Sequence, residues 1–127
     1  MNKTYQKKHE LWLHILFASF AINDETIKSR LYDFSQIAFR HMKWLGSDLL
    51  NDGENYNYDR SMLLMKQESV FDVINALKSE VEAMQSIYPN TPFGERAKTD
   101  DAYLLEYLRQ VLENEQNNQE ITAFNMQ

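Results

Sequence analysis

The side chains able to do chemistry are few: three histidines, no cysteine, and 19 Asp and Glu spread over 127 residues. A metal site needs its ligands gathered, and helix positions three or four apart share one face, so a carboxylate and an imidazole at that spacing can grip one ion. In bundles that hold two metal ions, two helices each give a lone Glu and two give a Glu-x-x-His pair. His41 is the histidine placed for such a role. Ile27, Leu31, Phe34, Ala38 and Leu45 recur in helical steps, and the step between Ala38 and Leu45 falls on His41, which is expected to point inward. Glu80 lies at the edge of the stripe Val70, Val73, Ile74, Leu77, Val81, Met84 and Ile87. Continuing the stripe Leu104, Leu105, Leu108, Val111 and Leu112 lands on Glu115. Glu10 precedes His14 by one helical turn, a spacing that also suits a plain surface pair. The acids of the third and fourth segments read equally as solvated polar faces, and His41 as a hydrogen-bonded core histidine. No glycine-rich phosphate loop and no Ser, His and Asp spacing suggests another chemistry.

These residues must be held by helices. With 3 Gly and 2 Pro, and with Leu, Met, Glu, Gln and Lys abundant, helix is favoured over strand because straight side chains lose little rotamer freedom in it. A first helix is expected over about 4–22, capped by Thr4, with an apolar surface of Leu11, Ile15, Phe17, Ala18 and Ile22. Asn23 and Asp24 offer caps for a second over about 25–48, with Glu25 in its first turn. The Asn-, Asp- and Gly-rich NDGENYNYD is the central break. A third helix is expected over about 61–88. The stretch YPNTPFGERAKTDD, with both prolines, reads as a turn, and a fourth helix is expected over about 99–120. A short first connection, a long second and a medium third make one antiparallel four-helix bundle over residues 1–127, two hairpins joined by a crossover.

Three segments resemble the ferritin-like superfamily, rubrerythrin-type domains in particular. IAFRHMKWL looks like that family's second-helix motif, in which an acidic residue stands three before a His. ALKSEVEAMQSIYP looks like its third helix, where a ligand Glu precedes Tyr-Pro by eight residues, and LRQVLENEQNN like its fourth-helix acidic segment. The likeness spans about residues 8 to 120. It implies metal ligands at Glu10, His41, Glu80 and Glu115, with iron or manganese as the ion. Two further ligands of the pattern are replaced, by Ala38 and Asn118. The expectation is a partial carboxylate and histidine site for one ion, in place of a bridged pair. Folding the first hairpin about residues 23 to 24 sets Glu10 within a turn of His41. Folding the second sets Glu80 nearer Glu106 than Glu115, so both remain open as its partner.

Charge narrows the partners. The net charge of −6, with basic residues scattered, offers no stripe to neutralise phosphates, so nucleic acid is not expected. The charged N-terminus does not read as a signal peptide, and no stretch approaches the roughly 20 apolar residues that span a bilayer; a cytoplasmic protein is the expectation. Sixteen aromatic residues and the Met62-Leu63-Leu64-Met65 patch point to a homodimer, with Trp12 and Trp44 also at the contact. Two functions follow from this reading. One is a small ferritin-like iron- or manganese-binding protein, whose catalytic version would be an iron-dependent oxidoreductase; the other is a helical interaction module that uses no metal.

Overall fold

The computed structural model describes residues 2–51 and 69–125, with side-chain surroundings for 3–50 and 69–114. It is an all-α bundle of α1 (Asn2–Ala21), α2 (Glu25–Asn51), α3 (Val70–Gln85) and α4 (Pro92–Asn125), with no strand among the described residues. α1 packs on α2 and α3, and α4 packs on α3 and α2. Every adjacent pair is antiparallel. Thr4 reaches Ile87 and His14 reaches Glu80 across α1 and α3, while Asp48 meets Thr91 and His41 meets Asp100 across α2 and α4. α2 and α3 therefore run in the same direction on one diagonal, so α3 begins at the end of the bundle opposite to where α2 stops.

Local chemistry starts three of the helices. Asp24 Oδ1 accepts the Ile27 N–H at 3.0 Å, capping α2 as its sequence anticipates. Ser69 caps α3 by accepting the Asp72 N–H at 3.2 Å. Thr91 caps α4: its hydroxyl oxygen accepts the Gly94 N–H at 3.0 Å, and Pro92 fills the first helical position, where no N–H is needed. Leu11, Ile15, Leu31, Leu45, Ile74, Leu77, Val81, Leu104 and Leu108 then meet in the interior, all essentially without exposure.

Several boundaries differ from the sequence reading. α4 starts at Pro92 instead of near Thr99, because Pro and Gly at the first and third helical positions are compatible with a helix start. Thr4 is no cap; α1 already runs from Asn2, and the Thr4 hydroxyl donates to the Ile87 carbonyl at 3.1 Å. α3 begins at Val70, stops at Gln85, and leaves Ile87 outside it; the expected stretch 61–68 lies outside the described residues, as does the Met62–Met65 patch. α2 continues past Leu50 to Asn51. Phe17, assigned to the inner surface of α1, is 40% exposed.

Candidate functional site

A buried polar cluster lies where the N-terminal part of α1, the middle of α2, the α3–α4 turn and the early turns of α4 meet. Lys8, His41 and Asp101 are buried there on helical stripes otherwise occupied by apolar residues. The Lys8 ammonium donates to Tyr88 Oη at 2.6 Å and to Asp101 Oδ1 and Oδ2 at 3.1 and 3.0 Å. The Tyr88 hydroxyl in turn donates to Asp101 Oδ2. Three ammonium protons thus meet three oxygen acceptors, which closes a ring of hydrogen bonds. Such closure is what a buried charge pair requires, since each ion has lost its water.

His41 stands beside this ring. Consecutive residues diverge by about 100° around a helix, and Asp100 and Asp101 use that divergence to reach opposite nitrogens of one imidazole. His41 Nε2 is 2.9 Å from Asp100 Oδ2, while Nδ1 is 3.6 Å from Asp101 Oδ1, too far for a hydrogen bond. Burial, reinforced by the nearby Lys8 charge and opposed by Asp101 and Asp100, lowers the His41 pKa to about 4. The imidazole is therefore neutral near pH 7. Nε2–H donates to Asp100, which leaves Nδ1 a buried lone pair with no hydrogen-bond partner. Trp44 packs near the ring, 5.6 Å between centroids, and stacks on Phe93 of α4. Burial also pulls the Lys8 ammonium below its ordinary pKa against the attraction of Asp101, and it pushes the Tyr88 phenol upward.

The structure distributes the anticipated ligands differently. Glu10 and Glu80 do come together, lining a groove of about 290 Å³ between α1 and α3 with Lys3, Lys7, Leu11 and Met84. Glu80 Oε1 is 2.6 Å from His14 Nδ1, and Oε2 is buried without a hydrogen-bond partner. His41 points inward as expected but belongs to the Lys8 cluster. The side chain of Glu115 lies outside the described residues, and Glu106 is exposed. Among the described residues, no three His, Cys, Asp or Glu side chains form a group that could hold a metal ion. The donor chemistry beside His41 explains this locally: the carboxylate of Asp101 already carries an ammonium.

Trp12 and Trp44 are both engaged within the chain, Trp12 against Phe39 at 5.3 Å and Trp44 against Phe93 at 5.4 Å between ring centroids. Lys8, Tyr88, Asp100 and Asp101 were not among the sequence candidates. For Lys8 and Asp101 the signal lies in the stripes: stepping back from Leu11 by three reaches Lys8, and stepping back from Leu104 by three reaches Asp101. Comparison with protein-family models, curated proteins and solved structures finds no match to this chain.

Proposed function

We propose that this protein is a metal-independent helical interaction module that pairs with a second copy of itself through the outer face of α1. The observation that carries the reading is a second apolar stripe on that helix. Leu11, Ile15, Ala18 and Ile22 face the core, while Leu13, Leu16, Phe17 and Phe20 stand at i, i+3, i+4 and i+7 on the other side. Leu13 and Leu16 are half-buried, and Phe17 and Phe20 are exposed. A helix apolar all round belongs inside an assembly, and four large apolar side chains in one stripe make a surface for a partner helix.

Charge favours a second copy as that partner. Exposed Lys3 and Lys7 lie near the N-terminal end of α1, on its flank toward the α1–α3 groove, and exposed Asp24 and Glu25 lie just beyond its C-terminal end. Two α1 helices packed antiparallel about a two-fold axis near Leu16 set each basic end against the acidic end of its partner. The contact is isologous and closes. The topology, with two hairpins and parallel diagonals, also supports a ferritin-like frame used without its ions.

The test is the association state of the untagged chain by sedimentation equilibrium. A dimer at about 100 μM that becomes a monomer on Phe17→Glu/Phe20→Glu, with an unchanged helical spectrum, fits the reading. A wild-type monomer at that concentration ends it. Anaerobic titration with ferrous iron and with manganese tests the metal-binding alternative; saturable binding at about tens of micromolar by the wild-type chain would revive it.

A further inference from the structure

We propose that the Lys8 ammonium is the built-in cation of a closed cation site in the bundle, so that removing the lysine side chain opens the site to an external divalent ion. The proposal is independent of how the outer face of α1 is used. Its first support is coordination. The ammonium lies 2.6 Å from a phenol oxygen and 3.0 and 3.1 Å from both oxygens of one carboxylate, a set of oxygens converging on one positive charge. The second support is His41, whose Nδ1 keeps a buried lone pair without a hydrogen-bond partner, 3.6 Å from the same carboxylate. The third is Asp100, which accepts from the far nitrogen of the imidazole and fixes its orientation. An outer carboxylate does this for histidines that bind metals.

The walls are largely buried as well as convergent, with Tyr88 and Asp100 partly exposed. The side chains of Lys8 and His41 have no exposure and that of Asp101 has 3%. One imidazole nitrogen and one carboxylate make a mixed nitrogen and oxygen donor pair suited to zinc or manganese, with the Tyr88 hydroxyl hydrogen-bonded to that carboxylate and water completing the shell. In the wild-type chain no such ion can enter, because a like charge already stands there and already neutralises Asp101. A lysine therefore plays the part that a metal plays in comparable bundles, and the stability of the fold is independent of metal supply.

The experiment uses the full chain with Lys8→Ala and reads thermal unfolding by circular dichroism near neutral pH, with and without Zn²⁺ or Mn²⁺. Lys8→Ala alone is expected to lower the midpoint by about 10 °C, since Asp101 is left as an uncompensated buried charge. Either ion is expected to return at least about 4 °C to the variant and to move wild type by less than about 1 °C. Isothermal titration should give one ion per chain for Lys8→Ala only. The response should vanish in Lys8→Ala/Asp101→Asn and in Lys8→Ala/His41→Ala, which separates this site from surface carboxylates and from the other histidines. An absent response in Lys8→Ala, or one that persists in both double variants, overturns the proposal. Where Lys8→Ala does not fold unaided, Lys8→Ser leaves the space open, places a neutral hydroxyl beside it and is read the same way. Folding of either variant only with the ion supports the site; failure of both variants to respond to either ion refutes it.

Discussion

His41 folds uncharged, because the folded chain holds its pKa near 4 against an ordinary 6.5, through burial first and the Lys8 charge second. A depressed folded-state pKa means that the unfolded chain takes up a proton that the folded chain refuses. The stability is complete above about pH 6.5 and falls as the pH drops toward 4. Between about pH 7.5 and pH 5 the expected loss is about 2 kcal/mol. His9, lowered by its partial burial, acts in the same direction. Urea unfolding at the two pH values measures the loss, and His41→Gln should flatten most of it; a variant as steep as wild type would place the effect elsewhere. Tyr88 invites a separate measurement. Tyr88→Phe removes an acceptor for Lys8 and a donor for Asp101, leaving an ammonium proton unused in the interior, and should cost about 1–3 kcal/mol by chemical denaturation. A cost under about 0.5 kcal/mol would mean that water or another group takes over. The inward direction of His41 was legible from spacing alone. Lys8 and Asp101 were legible only by extending each apolar stripe toward the helix start and accepting opposite charges inside, where composition argues against charge. The pairing of Asp100 and Asp101 with one ring depends on the packing of α4 against α2, which no spacing within a helix reveals.

At the scale of elements, the α3–α4 turn decides the register that delivers Asp100 and Asp101. The stretch YPNTPFGER carries two prolines and a glycine and so reads as a turn, yet Pro92 and Gly94 already lie in α4. Residues that break a helix interior cost little in its first turn, where the N–H groups have no carbonyl partners within the helix. Gly94 is there for space. A Cβ built on it would lie 2.0 Å from the Pro89 carbonyl oxygen and 3.0 Å from Pro89 Cγ, so any larger residue must move the turn backbone. On an exposed helix Gly→Ala stabilises by about 0.4–1 kcal/mol. Here Gly94→Ala should instead destabilise by about 1–3 kcal/mol, because the clash is with backbone that cannot swing aside. The sign of the change in urea midpoint decides the matter: a stabilised variant would show that the turn relaxes freely. α1 carries the other lesson at this scale. Its run from Leu11 to Ile22 is dense enough to suggest burial on all sides, but only the core-facing stripe is fully buried, and Phe17 and Phe20 of the other remain 40% and 66% exposed.

At the scale of the molecule, fold class was readable because every periodic segment has the helical period, and the pattern of connection lengths anticipated two hairpins joined by a crossover. No helix among the described residues is long and apolar enough to cross a membrane. For the outer stripe of α1, the proposed two-fold arrangement makes a specific electrostatic demand. If Lys7 of one copy faces Glu25 of its partner, Lys7→Glu sets two acids together at each end of the contact and should weaken dimerisation by about five- to tenfold at low salt. Glu25→Lys alone should weaken it similarly, by setting two bases together. The double variant Lys7→Glu/Glu25→Lys restores opposite charges across the axis and should recover most of the affinity, a pattern that a structural defect in either residue would not produce. Both positions are exposed in the single chain, so the helical spectrum should hardly change, and of the two only Glu25→Lys should lower the thermal midpoint, by removing an acid from the first turn of α2. Sedimentation equilibrium at two ionic strengths reads the cycle, with the single-variant penalties shrinking as salt rises. Additive losses in the double variant would rule out the antiparallel pairing even if the chain is a dimer, and would send the search for its contact to another face.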